Sequence, residues 1–298
     1  MTITELEVED YARYSESLFS RFESATPADA REIEYRKNVF SEIITKLREK
    51  KLTVDRDRFL QKTHEIESFL FLQSRGEVRL SSDHCGEAGA DMLFNNDIYV
   101  ECVCSSPGDA EKSGLMKYLG LVGSFDYNEK SRLLNARFTS SLCEKANFYY
   151  KHQGKSIDAK KPYVVFLSPG MLKYGYFEED YGMALTDILV GRGNPSITIS
   201  NATGEIIRSG YTHVETFEKW NGSKITSNLF LCPYFRCVSG VLFSVGGTES
   251  YTTDNTFLYL NPYATNPVDP LLFGDVAYWK ASPSREYQPF RNGRLITD

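Results

Sequence analysis

The chain has 298 residues, of which 41% are hydrophobic and 25% are charged, and its formal net charge is −6. This composition is that of an ordinary globular protein with a well-buried core. The acidic balance argues against a strongly basic nucleic-acid-binding module, although a local basic cleft is compatible with it. Residues 1–16 are acidic and mixed, and the longest apolar runs are too short to span a bilayer, so we expect a cytoplasmic protein with no membrane contact.

The chain opens with three predicted helices. Apolar side chains recur at helical spacing in residues 3–24, which indicates a first amphipathic helix. A second helix is expected over residues 26–51, with Thr26 as its N-cap. A third covers residues 55–75 and stops at Gly76, because glycine commonly ends a helix.

The rest of the chain mixes strands with helices. A long amphipathic stretch predicts a helix over residues 130–152, and an entirely apolar run predicts a central strand over 162–168. We therefore expect a helical segment over residues 1–75, followed without a linker by one α/β core over 76–298. The other strands predicted from β-propensity and length cover residues 77–81, 91–94, 98–104, 237–246 and 255–262.

A predicted hairpin carries two carboxylates, Asp91 and Glu101. Side chains alternate along a strand, so a three-residue loop, Asn95–Asp97, would place the two acids opposite each other on one face. Asn and Asp tolerate the left-handed backbone that such a loop needs. Two acids this close repel each other unless a cation compensates, and oxygen ligands suit Mg²⁺ or Mn²⁺. With a two-residue loop the acids would instead be ordinary solvated residues on opposite faces.

The long predicted helix carries a lysine on its apolar side. In a helical projection Lys145 lies about 20° from Leu134 and inside the stripe that Phe138 shares. Ser141 and Arg137 lie at the edge of that stripe. A lysine facing a core is costly unless it pairs with an acid, and the two hairpin acids are natural partners. The alternative is that its amine extends along the apolar surface to water.

The hairpin resembles the PD-(D/E)XK nuclease superfamily, which has the restriction-endonuclease-like fold. Asp91, nine intervening residues and Glu101 stand where the family has its two acids, with "GAD" in place of Pro-Asp. The sequence "IYVECVCSSPG" at 98–108 is similar to bacterial members whose strand reads like "IWVEAVAPxxG".

Two further stretches extend the resemblance. Arg137 and Lys145 lie on a helix before an apolar strand, as they do in those members, and "NPYATNP" at 261–267 also resembles them. The similarity covers residues 65–168 well and the C-terminal part loosely. It implies a mixed central sheet flanked by helices, to which the N-terminal helical segment is an addition.

The resemblance also implies a metal-dependent nuclease with Mg²⁺ or Mn²⁺ as its cofactor. Asp91 and Glu101 would ligate the metal, and the Cys102 carbonyl oxygen would be a further ligand. An acid of the preceding helix often completes such sites, and we expect Glu67 in that role, ahead of Glu65.

Three residues would act on the substrate. Lys145 would orient or deprotonate the attacking water and stabilise charge on the phosphate. Arg137 and Ser141 would bind the substrate, the guanidinium by contacting a phosphate. The expected partner is nucleic acid, with DNA favoured over RNA, in restriction or anti-phage defence. A homodimer is a candidate assembly, because nucleases that cut duplexes often work in pairs.

One position departs from the family pattern. The family's Glu-x-Lys would place a lysine at 103, where this chain has Val103. Lys145 would replace that lysine from a neighbouring helix, as happens in some members of the superfamily. If Lys145 does not reach the site, the alternative is a catalytically inactive protein of the same fold that binds nucleic acid or a protein partner.

Overall fold

The computed structural model describes residues 5–25, 30–50, 53–81, 89–106, 127–170, 172, 178–218, 222–245, 250–281, 287–291 and 293–295. The three N-terminal helices are confirmed as α1 (Glu5–Ala25), α2 (Ala30–Lys50) and α3 (Thr53–Gln73). The expected N-cap of the second helix, Thr26, lies outside the described residues.

Gly76 has a different role from the predicted one. Helix α3 already ends at Gln73, and Gly76 does not adopt a positive φ. A Cβ atom at Gly76 would lie only 2.2 Å from Oδ1 of Asn95. That oxygen accepts a hydrogen bond from the Glu77 amide at 3.0 Å. Glycine is therefore favoured here because the chain passes close to the hairpin loop, and its amide still donates to the Leu72 carbonyl of the last helical turn at 3.1 Å.

The predicted core elements are confirmed within one to three residues at most ends. The first strands are β1 (Val78–Leu80), β2 (Met92–Phe94) and β3 (Ile98–Cys104). Helix α4 (Tyr127–His152) and strand β4 (Tyr163–Ser168) follow. The later elements are α5 (Glu178–Val190), β5 (Arg192–Ile199), β6 (Ile206–His213), β7 (Thr216–Glu218), β8 (Lys224–Thr226), β9 (Gly240–Ser244), β10 (Thr256–Leu260), β11 (Ala277–Ala281), β12 (Tyr287–Arg291) and β13 (Arg294–Leu295), with short 3₁₀ turns at Leu229–Leu231, Pro233–Cys237 and Pro270–Phe273.

Nine strands form one mixed sheet in the order β1-β2-β3-β4-β9-β10-β11-β12-β13. Its centre is parallel, since β4 pairs in parallel with both β3 and β9. All six residues of β4 are buried, as expected for a strand with neighbours on both sides and helices on both faces. The predicted mixed α+β class with an N-terminal helical segment is confirmed.

Helices cover both faces of the sheet. Phe59, Ile66 and Phe69 of the N-terminal helices share one core with Val100 and Phe166 of the sheet. Helices α4 and α5 form the core of the opposite face, where their buried residues include Phe138, Leu142, Leu185 and Ile188. Because side chains alternate along β3, Glu101 faces α4 while its neighbours in sequence, Val100 and Cys102, face the N-terminal helices.

A two-stranded ribbon, β5–β6, lies outside the main sheet. It carries a group of large apolar side chains that are 44% to 68% exposed: Ile197, Ile199, Ile206, Ile207 and Tyr211. Among the helices of the described residues, none combines the length and the apolar character needed to cross a membrane.

Candidate functional site

The candidate site begins at the β2–β3 hairpin, whose register is the one that its Asn-Asn-Asp loop predicts. Phe94 pairs with Ile98 and Met92 with Val100, which leaves a three-residue loop. Two of its residues, Asn95 and Asn96, have φ values of 49° and 58°, in the left-handed region. The three-residue loop is confirmed, and the two-residue alternative is wrong.

This register brings Asp91 and Glu101 together, one position beyond the last β2–β3 pair. The Asp91 amide donates to Oε2 of Glu101 at 3.2 Å. In return, the Cys102 amide donates to Oδ2 of Asp91 at 2.6 Å. Strand β2 begins only at Met92. The Asp91 carboxylate therefore accepts a hydrogen bond from the Cys102 amide, which a backbone carbonyl would accept if β2 were longer.

Lys145 of α4 reaches the same pair of acids. Its Nζ atom lies 2.8 Å from Oε1 of Glu101, and the two side chains are 16% and 5% exposed. Pairing with an acid is therefore confirmed, and extension of the amine to water is wrong. The helical projection identified this lysine because a charged residue inside an apolar stripe must find a partner.

Burial and like charge dominate the electrostatics of the acids. Burial raises the pKa of Asp91 well above its usual value, and the charges of Glu101 and Glu65 raise it further. Burial also raises the pKa of Glu101, against the opposing effect of the Lys145 ammonium. The pKa of Lys145 is lowered by burial alone, but Glu101 and Asp91 outweigh that effect and raise it. The site thus holds a charged amine beside two acids that resist ionisation.

Gln61 of α3 completes the open edge of β3. Its Oε1 atom accepts from the Cys104 amide at 2.7 Å, and its Nε2 atom donates to the Cys102 carbonyl at 3.4 Å. One side-chain amide thus bonds to the strand as a neighbouring strand would. The Cys102 carbonyl, an expected metal ligand, lies on this edge and accepts the long hydrogen bond from Gln61.

The structure separates the two helix acids that were considered as additional ligands. Glu67 hydrogen-bonds to Tyr14 and Arg21 of α1, so it lies in the interface between α1 and α3. Glu65 is the acid whose charge reaches both Asp91 and Glu101. The preference for Glu67 is corrected on this point, because the two positions between Glu65 and Glu67 rotate the side chain about the axis of α3 by about 200°.

Glu65 is itself compensated by cations. Both of its carboxylate oxygens lie within 3.0 Å of the Lys62 amine, and Arg36 of α2 lies 3.3 Å from one of them. Arg36 also pairs with the buried Glu32 at 2.6 Å. The N-terminal helices therefore supply alternating charges close to the hairpin acids, which nothing in the spacing of the sequence predicted.

The expected substrate-binding residues lie on the same side of α4 as Lys145. The hydroxyl of Ser141 is 3.0 Å from that of Ser105, just after β3. Arg137 is half-buried one turn further toward the start of the helix. Arg137, Ser141 and Lys145 thus form a ridge beside the hairpin acids, in the order that the projection predicts.

The donor set fits a metal that takes few protein ligands. Within the described residues, no three His, Cys, Asp or Glu side chains are arranged to hold a metal ion together. Asp91 and Glu101 are two carboxylates beside a backbone carbonyl. Magnesium is commonly held by one or two carboxylates, with water and substrate phosphates as its other ligands, so this set suits it better than zinc, which prefers nitrogen and sulfur ligands.

Comparisons with known proteins give no assignment. No family model matches the sequence, no curated protein is significantly similar to it, and no solved structure matches the fold. The functional inference therefore rests on the geometry of the chain's own residues.

Proposed function

We propose that the chain is a metal-dependent nuclease of the restriction-endonuclease-like kind, which hydrolyses phosphodiester bonds in DNA or RNA. One observation carries the proposal: the Lys145 amine bonds to the buried Glu101 carboxylate, and the half-buried Asp91 lies beside Glu101 at the edge of a central strand. Strongly perturbed acids of this kind concentrate at functional sites.

Asp91 and Glu101 are the residues that would hold Mg²⁺ or Mn²⁺, with the Cys102 carbonyl beside them. Burial is the main reason that the pKa values of both acids are raised, and nearby carboxylates raise them further. A divalent cation would offset the negative charge of this cluster. When bound, the cation would acidify a coordinated water and polarise a phosphoryl oxygen.

Lys145 would act directly on the reacting phosphate. Its ammonium is held in the charged form by two acids, so it can donate to a non-bridging oxygen and offset the charge that develops there. It can also orient the water that attacks phosphorus in line with the leaving oxygen. As the new bond from the water oxygen to phosphorus forms and the bond to the leaving oxygen breaks, the water releases one proton to solvent and the leaving oxygen takes up one from solvent. Arg137 and Ser141 would position the adjacent phosphate.

A second function has an observation of its own. Val103 is buried at 7% exposure where the family pattern expects a lysine. Both oxygens of Glu101 already accept hydrogen bonds, from Lys145 and from the Asp91 amide. A carboxylate whose oxygens are already hydrogen-bonded within the protein also suits a non-catalytic protein of the same fold. Such a protein would bind nucleic acid or a protein partner without catalysing hydrolysis.

The test is cleavage of supercoiled plasmid, single-stranded DNA and single-stranded RNA by purified protein, in Mg²⁺ and in Mn²⁺. Asp91→Asn, Glu101→Gln and Lys145→Ala should each abolish a metal-dependent activity. Lys280→Ala is the control, because Lys280 is an exposed lysine of β11. Cleavage that survives Lys145→Ala would remove that residue from the mechanism, and the absence of cleavage of every substrate would favour the binding protein.

A further inference from the structure

The stretch that begins at the site lysine is basic and aromatic, although the chain as a whole is acidic. Residues 145–161, "KANFYYKHQGKSIDAKK", contain five lysines and one aspartate, whereas the whole chain carries a net charge of −6. They form the last two turns of α4 and the connection to β4. A basic stretch interleaved with aromatic rings is a common feature of surfaces that bind single-stranded nucleic acid.

Aromatic rings continue the ridge of α4 beyond Lys145. The Lys145 Nζ atom lies 6.0 Å from the centroid of the Phe148 ring. Phe148 and His152 stack with their centroids 4.3 Å apart and their planes at 28°. Both are half-buried, so each is held in place by the protein and still presents part of its surface to solvent. The ridge thus passes from the amine at the acids directly to a flat aromatic surface.

The other rings of this stretch are used differently. Tyr149 is 4% exposed and belongs to the core beneath α4. Tyr150 projects from the opposite side of the helix, at about 140° from Lys145, and its hydroxyl donates to the Tyr234 carbonyl. Phe148 and His152 are therefore the two rings of this stretch that lie beside the site.

Exposed cations flank the aromatic pair. Lys151, Lys155 and Lys160 are exposed, and in the described part of the chain no carboxylate forms an ion pair with them. Two acids are also nearby, Glu144 on the preceding turn and Asp158 in the connection. With both counted, residues 144–161 hold five lysines against two acids, so the surface stays positive.

We infer that Phe148 and His152 form a stacking platform for an unpaired base and that Lys151 and Lys155 hold the neighbouring phosphates, so that a single-stranded nucleic acid runs along α4 past Lys145. This inference rests on the proposed function, to which it adds the form of the substrate. A duplex hides the faces of its bases, whereas an unpaired base can lie on an aromatic ring. The positive charge of the stretch complements a phosphate backbone.

The inference is tested by binding in EDTA, where metal-dependent cleavage cannot occur. Fluorescence anisotropy would measure the affinity for a labelled 12-nucleotide single strand of DNA, the same sequence in RNA, and the DNA duplex. Phe148→Leu keeps the apolar volume and removes the ring, and it should weaken single-strand binding about tenfold. Phe148→Trp should restore it. Lys151→Ala and Lys155→Ala should each lower the salt dependence of log K by about 0.7.

Matched controls lie on the same helix and elsewhere on the surface. Tyr150→Leu removes an exposed ring from the opposite side of α4, and Lys280→Ala removes an exposed lysine of β11. Neither should change the affinity. Equal binding by wild type and Phe148→Leu, tighter binding of the duplex, or no binding to either single strand would each overturn the inference.

Failure of the inference differs from failure of the proposed function. Metal-dependent cleavage in a protein whose binding ignores Phe148 would overturn the stacking platform and leave the nuclease. Single-strand binding that depends on Phe148, in a protein that cuts nothing under any metal, would overturn the nuclease and leave the platform.

Discussion

Lys145 and Glu101 form a 2.8 Å ion pair although 44 residues separate them in sequence. The pair joins α4 to β3, and through Glu101 it reaches the Asp91 amide. An amine and two carboxylates thus share a buried site whose net charge depends on all three groups.

Removal of the lysine should destabilise the protein more than removal of both partners. Lys145→Met leaves Glu101 buried without its cation, and breaking a buried pair in this way costs about 3 kcal/mol. In Lys145→Met/Glu101→Gln no unpaired charge remains at this pair, so part of that loss should be recovered. Urea denaturation at neutral pH measures the free energies of unfolding, and a double-mutant cycle gives the coupling. Additive effects of the two substitutions would contradict a direct interaction.

The pair of acids predicts how stability depends on pH. The pKa of Asp91 is raised well above 3.8 in the folded state, so the folded protein keeps this proton to a higher pH than the unfolded chain does. Stability must then fall as the pH rises from the unfolded pKa through the folded one, by up to about 1.4 kcal/mol per pH unit.

In Asp91→Asn the side chain does not titrate in either the folded or the unfolded state. The variant should therefore gain stability relative to wild type as the pH rises from about 4 to about 8. Urea denaturation of both proteins at several pH values gives the difference directly. A difference that stays constant over this range would mean that Asp91 titrates alike in the folded and unfolded chains.

Divalent metal should stabilise the protein through the two hairpin acids. At a Mg²⁺ concentration about ten times Kd the stabilisation is about 1.4 kcal/mol, which corresponds to a rise in Tm of about 3 °C. Asp91→Asn and Glu101→Gln should abolish this rise in thermal unfolding scans. Glu67→Gln should lower Tm but keep the rise, because Glu67 pairs with Tyr14 and Arg21 instead. Loss of the rise in Glu67→Gln would place Glu67 at the metal after all.

Gln61 should stabilise the edge of β3 at the candidate site against local opening. Gln61→Leu leaves the Cys104 amide without its 2.7 Å acceptor, and an unsatisfied buried donor costs about 1–3 kcal/mol. Hydrogen exchange at the Cys104 amide should accelerate, which NMR or mass spectrometry can follow. Gln153→Leu, at an exposed glutamine after α4, is the control and should leave that exchange rate unchanged.

The exposed isoleucines of the β5–β6 ribbon should contribute little to stability. Ile197 and Ile206 are 62% and 63% exposed, so threonine at either position should change the free energy of unfolding by less than about 0.5 kcal/mol. Ile188 of α5 is fully buried, and Ile188→Thr should cost more than about 2 kcal/mol. A large loss from the ribbon variants would show that another part of the protein covers them.

Local patterns in the sequence were sufficient for much of the site. The Asn-Asn-Asp loop indicated the three-residue register as one of two candidates, because Asn and Asp tolerate the left-handed backbone that it needs. The 100° step of an α-helix singled out Lys145 as a charge within an apolar stripe. Both inferences depend only on neighbours within one element, where the geometry is regular.

Other features arise between elements far apart in sequence. No pattern indicates that Gln61 would bond to the edge of β3, because a glutamine on a helix is usually solvated. The choice between Glu65 and Glu67 depends on how α3 is rotated against the sheet, and that rotation is set by the packing of all three N-terminal helices.

The sequence by itself determined the three N-terminal helices, the strands β1 to β4, β9 and β10, and the side of α4 that carries charge, since each follows from periodicity and residue preference within a short stretch. Only the tertiary structure decided which groups compensate those charges. It also decided that α3 and α4 approach β3 from opposite faces at the point where β2 has ended. Such proximity is set by the packing of the whole core, in which residues such as Phe59 and Phe138 fill opposite sides of one sheet.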